Sequence, residues 1–286
     1  MTRTQDVLAS ASDRLAAAGV ESPRVDAELL LAHVLDVPRP KLLIIDEVNE
    51  PATHELEGCL LRRIEREPLQ YIIGTAPFRH IELAVGPGVF IPRPETELLV
   101  DAVLPALRRI ERPVVVDLCS GSGALALAIA DEIPGSRVVA VENSPEAVAW
   151  LRKNVMSYLV SADARSSVAI ETEDVTDPAL FPDLRGLVDV VVSNPPYVPA
   201  GTEISPEVQA DPAEAVFSGE DGLELTPSVI ARAAELLKPG GVFAVEHDDS
   251  TQAGVLALLA ADGRWRDIVP VRDLADRPRS VTALRR

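Results

Sequence analysis

Apolar and polar positions change their period along this chain, and the change divides it. Over residues 1–72 apolar residues recur at helical spacing. Thr2 or Thr4 can cap a first helix that runs through Ala18 and stops at Gly19. Pro23 through Leu35 reads as a second helix with proline in its first turn. A third begins at Thr53-His54-Glu55-Leu56 and runs to about Arg66, ahead of Pro68. Over 73–92 the pattern alternates instead. Phe78 through Val85 reads as strand and Gly86-Pro87-Gly88 as a turn, so a β-hairpin connector is expected there.

A helix over 95–109 is expected next, and then strands and helices take turns. Strands are expected over 114–118, 137–142, 167–171, 187–193 and 241–246, with a final pair near 264–271 and 279–285. Helices are expected over 123–132, 145–158, 225–237 and 249–262. Such alternation predicts an α/β domain, a mostly parallel sheet with helices on both faces. Three segments result: a helical one over 1–72, a connector over 73–92 and the α/β domain over 93–286. No internal repeat or low-complexity tract interrupts them.

Composition narrows the function classes. Hydrophobic residues make up 47 % of the chain, enough for a sizeable core. The formal net charge is −18, and Lys and Arg cluster only in short pairs such as Arg62-Arg63 and Arg108-Arg109. A duplex binder carries a basic face to offset phosphates, so nucleic acid is not an expected partner. Two cysteines, Cys59 and Cys119, argue against a disulfide scaffold and fit a reducing cytoplasm. No basic stretch precedes an apolar run near the start, so no signal peptide is expected. No uncharged run is long enough to cross a bilayer, and four histidines without paired spacing suggest no metal site.

Two motifs carry candidate chemistry. Asn194-Pro195-Pro196-Tyr197 follows the apolar run 187–193, at the carboxyl end of a strand expected to be buried. Ligands of open α/β sheets bind outside the carboxyl ends of strands. Prolines lack an N–H, so their carbonyls act only as acceptors in a fixed geometry. With the Asn194 carbonyl and the flat Tyr197 ring, this loop suits a planar NH2 group; a plain Pro-rich turn is the other reading. Upstream, the run Val114-Val115-Val116-Asp117-Leu118 enters Cys119-Ser120-Gly121-Ser122-Gly123 and then an apolar helix. Glycines let a ligand approach the backbone, and a helix N-terminus offers free N–H groups. Glu142 ends the next strand about 20 residues beyond Gly123, where a carboxylate meets ribose hydroxyls in this architecture. It also stands where an acid commonly precedes a helix.

Together these features resemble the class I S-adenosylmethionine-dependent methyltransferases, in the branch that methylates planar amino groups. Phe90-Ile91-Pro92-Arg93-Pro94-Glu95-Thr96-Glu97 is similar to the segment preceding the catalytic domain in the peptide-chain release factor glutamine methyltransferases. Gln209-Ala210-Asp211-Pro212, Gly219-Glu220-Asp221-Gly222-Leu223 and Glu246-His247 extend the resemblance over essentially the whole chain. Cys119 departs from it, standing where the family has a glycine, which leaves open how the turn is made.

The resemblance implies a Rossmann-like domain with a mostly parallel seven-stranded sheet, preceded by a small helical domain that grips the substrate. The implied cofactor is S-adenosyl-L-methionine, released as S-adenosyl-L-homocysteine. Asp117, Ser120, Gly121, Ser122, Gly123, Glu142, Asp174, Val175 and Asn194 would line its pocket, with Asp174 on the adenine amino group and Val175 on the adenine face. Asp174 also belongs to an acidic run with Glu171, Glu173 and Asp177, which reads equally as a solvated loop. Asn194, Pro195, Pro196 and Tyr197 would hold the acceptor, the N5 amide of the glutamine in a Gly-Gly-Gln loop. Arg93 and Glu95 would order a loop over the cofactor or lie on the surface, and Glu246-His247 would be a salt-bridged strand end or part of the site. The implied partners are release factors, met by a monomer in the cytoplasm with no membrane. A ribosomal-protein glutamine methyltransferase, an adenine N6-methyltransferase on DNA or RNA, and a binding module on an inactive fold stay open as alternatives. The stretch 201–231 carries seven acids and no Lys or Arg, reading as a solvated loop or as a rim that steers a basic substrate.

Overall fold

A computed structural model of the chain describes residues 1–160, 165–179 and 181–286. Two units separate along it: Met1–Thr75 with Ile204–Ala210, and Ala76–Glu203 with Asp211–Arg286.

The first unit is helical. Strand β1 (Thr2–Arg3) pairs antiparallel with β2 (Glu47–Val48), and α1 (Thr4–Ala17) and α2 (Pro23–Val34) lie between them in sequence. A short 3-10 helix over Arg39–Ile44 precedes β2. Helices α3 (Glu50–Ile64) and α4 (Leu69–Ile73) complete the unit's first stretch. Val7, Leu8, Ala11 and Leu15 form one face of α1 and pack with Leu30, Leu31, Leu56 and Leu60. Each fully buried leucine stabilises by roughly 1.5–3 kcal/mol. Helix α3 starts at Glu50, earlier than the expected Thr53. Asn49 caps it, its side chain accepting from the Ala52 N–H at 2.9 Å, and Pro51 suits the first turn.

The second unit opens with a hairpin of β3 (Thr75–Phe78) and β4 (Ile81–Ala84). Its turn is Arg79-His80, which breaks the run Phe78–Val85 expected as one strand, while Gly86-Pro87-Gly88 turns as expected, with the Val89 N–H donating to the Gly86 carbonyl at 3.3 Å. Arg79 adopts a left-handed φ of 51°. Tertiary partners hold it there: its N–H donates to Glu97 at 2.9 Å, and its guanidinium pairs with Glu132 and with Asp101. After a 3-10 turn over Pro94–Thr96 come α5 (Glu97–Leu107), β5 (Val114–Leu118), α6 (Ala124–Glu132), β6 (Arg137–Val141), α7 (Pro145–Val160), β7 (Ser167–Glu171) and β8 (Val188–Ser193). The four-residue helix α8 (Pro206–Gln209) belongs to the first unit, and α9 (Ala213–Val216) returns to the second. Helix α10 (Thr226–Leu236), β9 (Leu237–Glu246), α11 (Gln252–Asp262), β10 (Trp265–Arg272) and β11 (Pro278–Arg285) follow.

The seven-stranded sheet runs β10-β11-β9-β8-β5-β6-β7. From β7 to β9 all neighbours are parallel, while β11 inserts antiparallel between β9 and β10. The central strands are apolar on both faces, as a sheet covered by helices requires, with Val115, Val116 and Val190–Val192 wholly buried. Phe243 and Trp265 stack at 5.2 Å in the same core. Chain order reverses where β5 lies between β6 and β8, a topological switch point that opens a crevice at the strands' carboxyl ends. Among the described residues no helix is long and apolar enough to cross a membrane.

Candidate active site

The switch point brings the two sequence motifs together. Leu118, the last residue of β5, pairs with Ser193, the last of β8, and Ser193 Oγ donates to the Leu118 carbonyl at 2.7 Å. Beyond Leu118 the chain turns sharply. Cys119 takes a φ of 62°, so a residue with a side chain makes the left-handed turn that glycine makes most easily. Burial pushes its thiol well above the ordinary range, which disarms it as a nucleophile. Ser120 locks the turn to β6: its N–H donates to the Val141 carbonyl at 2.9 Å, and its Oγ accepts from the Val141 N–H at 3.0 Å. Gly121 and Gly123 have φ of 54° and 89°. A Cβ on Gly121 would meet nothing within 4 Å. The Ser122 carbonyl accepts from Asn154 Nδ2 at 2.9 Å, and Asn154 also bonds both backbone groups of Ala84, tying α7 and β4 to this loop.

Three carboxylates surround the glycine loop. Glu142 Oε2 accepts from the Gly121 N–H at 2.8 Å, while Oε1 accepts from Asn143 and Ser144 at 3.0 and 2.9 Å. It therefore shapes the loop and opens α7 at once. Asp117 is fully buried; its Oδ2 accepts from the Ala126 N–H at 3.1 Å, and its Oδ1 meets no partner among the described residues. Burial pushes its carboxyl up to about 7, against the pull of its hydrogen bonds. Asp174 accepts from the Thr176 N–H and hydroxyl at 2.8 and 2.7 Å, and these bonds hold it below the usual carboxylate range. Val175 beside it is buried in the sheet's core with Leu118, Val139 and Val141.

Asn194 leaves β8 half-buried, and its Nδ2 donates to Thr96 Oγ1 at 3.1 Å. Tyr197 donates its hydroxyl to Glu246 Oε1 at 2.8 Å. Glu246 Oε2 is buried without a hydrogen-bond partner among the described residues. Burial, then the Glu246 charge, raises the Tyr197 phenol well above its ordinary value, so it stays protonated. Among the described residues Glu246 is thus no salt-bridge terminus but the acceptor for the motif's tyrosine. His247 faces away from this exchange, its Nδ1 meeting the Asp248 carbonyl at 2.7 Å, and burial lowers its pKa and keeps it neutral.

Backbone pins the rest of the loop. Val198 N–H donates to the Val216 carbonyl at 2.9 Å and Ala200 N–H to the Gly219 carbonyl at 2.8 Å. Asp211 is buried and accepts from the Ile91 N–H at 3.1 Å and from the Arg93 guanidinium, which also lies 4.9 Å over the Phe90 ring. Arg93 is therefore anchored, and Glu95 pairs with Arg277 at 3.3 Å.

Thr96 and Asn154 bear no mark of their role in the sequence. Thr96 sits inside the Phe90–Glu97 motif, whose prolines draw attention to the loop and not to the hydroxyl. Asn154 stands mid-helix, where a buried amide was the available hint. Among the described residues, no group of three or more His, Cys, Asp or Glu is arranged to hold a metal ion.

Comparison with known proteins bears on the whole chain. The family described as PrmC N-terminal domain matches residues 6–74, and the methyltransferase small domain matches 81–211. A release factor glutamine methyltransferase of Mycolicibacterium smegmatis is 48 % identical over 287 residues, covering 100 % of this chain and 99 % of the relative. One from Streptomyces coelicolor is 47 % identical, with 96 % of each chain covered, and one from Deinococcus radiodurans 37 %, with 98 % of each. Among solved structures, the T. thermophilus 16S rRNA N2 G1207 methyltransferase in complex with AdoMet and guanosine aligns with a TM-score of 0.51 at 24 % identity, covering 74 % of this chain and 50 % of that one. The hMettl16 catalytic domain aligns at 0.54 and 14 % identity, with 82 % of each chain covered. Those two likenesses carry the fold, a class I methyltransferase sheet. The full-length identities carry more, and by them this chain belongs to the release factor glutamine methyltransferases.

Proposed function

We propose that this protein transfers a methyl group from S-adenosylmethionine to the side-chain amide nitrogen, N5, of the glutamine in the Gly-Gly-Gln motif of peptide-chain release factors. The observation that carries this reading is the Asn194 amide. Its Nδ2 is committed to Thr96 at 3.1 Å, which leaves Oδ1 as an acceptor for a planar amide. The Pro195 carbonyl is the second acceptor, in a backbone whose proline fixes the geometry.

The residues at the switch point fit the cofactor. Asp117 brings a buried carboxylate oxygen that lacks a partner, Gly121 leaves open space beside its Cα, and Glu142 holds the loop with one carboxylate. Asp117, Ser120, Gly121, Ser122, Gly123, Glu142, Asp174, Val175 and Asn194 are the residues we assign to it, the carboxylates answering its amine and hydroxyl donors. Bound there, S-adenosylmethionine supplies a methyl carbon on a good leaving group and becomes S-adenosylhomocysteine.

The chain's own task is then orientation. An amide lone pair is delocalised into its carbonyl and is a poor nucleophile. Asn194 Oδ1 and the Pro195 carbonyl, accepting both N–H hydrogens, would aim the nitrogen and raise its electron density. Positioning of this kind supplies about 7–11 kcal/mol in favourable cases. Pro196 keeps the turn rigid, and the Tyr197 ring packs against the flat amide. No residue need take a proton before attack, because the methylated nitrogen is acidic enough to lose one to water.

The first unit is read as the part that grips the protein substrate. The net charge of −18 favours a basic protein segment over a phosphate backbone as partner. Cys59 and Cys119 are both free thiols, as a reducing cytoplasm allows. The test is to incubate the protein with labelled S-adenosylmethionine and either a release factor or DNA. Label on the glutamine of the release factor is the expected result, and Asn194→Ala should abolish it while S-adenosylhomocysteine still binds. Label on DNA alone would overturn the reading.

A further inference from the structure

Asn154 lies within α7 and is 4 % exposed, and both ends of its amide are hydrogen-bonded. Its Oδ1 accepts from the Ala84 N–H at 2.8 Å, and its Nδ2 donates to the Ala84 carbonyl at 3.0 Å and to the Ser122 carbonyl at 2.9 Å. A carbonyl can only accept and an N–H can only donate, so these three partners fix which end of the amide points where.

The Ser122 carbonyl belongs to a peptide unit that is held at both ends. At the other end the Gly123 N–H donates to the Ser120 carbonyl at 2.8 Å. Gly121 and Gly123 flank Ser122 with φ of 54° and 89°, where the backbone turns most freely. One turn earlier on the same face of α7, Leu151 closes on this loop: a Cβ on Gly123 would lie 2.6 Å from Leu151 Cδ1. Ala84 ends β4, so the Asn154 amide also fastens the loop to the β3–β4 hairpin. The hairpin's turn is held at the far end of α6, where Arg79 pairs with Glu132. Helix α6 starts at Ala124, directly after the loop, so the hairpin is tied to both of its ends.

We propose that Asn154 is a positioning residue for S-adenosylmethionine: it holds the Ser122–Gly123 peptide plane in the orientation that fits the cofactor, and makes the hairpin a brace for the loop. The inference rests on the reading of Ser120–Gly123 as the cofactor loop. Without the Asn154 amide the buried Ser122 carbonyl has lost its donor, a costly state that the glycines allow the chain to escape by rotating the peptide. Carbonyl and N–H share one plane, so rotation also takes the Gly123 N–H off Ser120. The loop then turns a different set of backbone groups toward the cofactor.

The experiment uses the full chain, calorimetry on S-adenosylhomocysteine, and turnover of a release factor with labelled S-adenosylmethionine. Asn154→Asp keeps the shape and the bond from the Ala84 N–H, but sets a carboxylate against two carbonyls. Asn154→Leu removes all three bonds. Each should raise the Kd for S-adenosylhomocysteine about tenfold to a hundredfold, the scale on which one buried acceptor left unpaired weighs. KM for S-adenosylmethionine should rise in step while kcat at saturation stays within about threefold, the pattern of a loss confined to binding. A bridge that served stability alone would lower Tm and leave the Kd of the folded protein where it was. Coupling is reciprocal, so in the parent saturating S-adenosylhomocysteine should slow amide exchange about tenfold at Ala84, which is not among the residues assigned to the cofactor. Parental Kd in both folded variants would overturn the proposal, as would slowed exchange at Gly121 with none at Ala84. If neither variant folds, the exchange measurement on the parent decides. A parent that binds no S-adenosylhomocysteine would instead sink the cofactor reading itself, and the proposal with it.

Discussion

A Cβ on Gly222 would lie 2.4 Å from the carbonyl oxygen of Tyr197 and 3.1 Å from the Pro199 ring. Gly222 also has a φ of 75°, which L side chains rarely adopt. The Gly219–Leu223 segment therefore works as the bed on which the acceptor loop rests. Gly222→Ala must push that loop toward the site. Methyl transfer should fall about a hundredfold, the effect of a displacement near 1 Å. Affinity for S-adenosylhomocysteine should hold, because the glycine loop after β5 is untouched. A rate assay and a calorimetric titration check both halves, and parental turnover would show that the loop adapts.

Cys119 concentrates strain in the first turn after β5. Its φ of 62° costs a residue with a Cβ roughly 1–2 kcal/mol, and a β-branched residue more. Cys119→Val should destabilise by about 2 kcal/mol, visible as a lower Tm. Cys119→Gly should stay within about 1 kcal/mol of the parent, since relieved strain offsets the added freedom of the unfolded chain. Equal Tm values for Val and Cys would mean that the turn relaxes without cost.

Much of this fold was legible because the sheet is buried on both faces. Runs such as Val114–Leu118 and Val188–Ser193 stand out where helices cover a parallel sheet, and the structure places strands over those residues. Elements set by single polar contacts did not stand out. Asn49 starts α3 ahead of Thr53 through one side-chain bond. Arg79 turns the hairpin because Glu97, Glu132 and Asp101 hold it, although Gly86-Pro87-Gly88 has the stronger turn composition. Asn194-Pro195-Pro196-Tyr197 showed its chemistry in four adjacent residues. Its supports, Thr96 on Asn194 and Glu246 on Tyr197, lie far off in sequence and reach the motif only through the fold.

Two of the buried carboxyls, Asp117 and Glu246, make stability fall with rising pH. Burial raises both Asp117 and Glu246 to about 7, above their unfolded values. A raised carboxyl favours the folded state when protonated. Its contribution is complete below the unfolded value, near 4, and is lost as pH rises through about 7. Without cofactor, stability should fall by roughly 1–2 kcal/mol between about pH 6.5 and pH 8. Asp117→Asn combined with Glu246→Gln should flatten that slope. Glu207 acts in the opposite sense and elsewhere: burial raises it, but bonds from Arg66 and Arg63 outweigh this and hold it at about 2. Its contribution is lost only in strong acid. Denaturant melts at several pH values decide, and a flat parental profile would show that the two sites take up water.

The acids of 201–231 do not form one rim. Glu207 belongs to the first unit, ion-paired with Arg63 at 2.9 Å and Arg66 at 2.8 Å. Asp211 is buried on Arg93. Glu203, Glu214 and Glu220 remain exposed in the second unit, with no ion pair among the described residues. Exposed charge of one sign mainly raises the association rate of a complementary partner, and salt removes the effect as the Debye length shrinks from about 10 Å at 0.1 M to about 3 Å at 1 M. Replacing Glu203, Glu214 and Glu220 by Gln should therefore lower kcat/KM for a release factor about threefold to tenfold at low salt, the low end of steering effects. The salt dependence should flatten and kcat stay unchanged. Glu207→Gln should do the reverse, destabilising by about 2 kcal/mol, between the values for exposed and buried pairs, with the salt slope intact. A triple variant that associates as fast as the parent at low salt would leave these acids with no task beyond solvation.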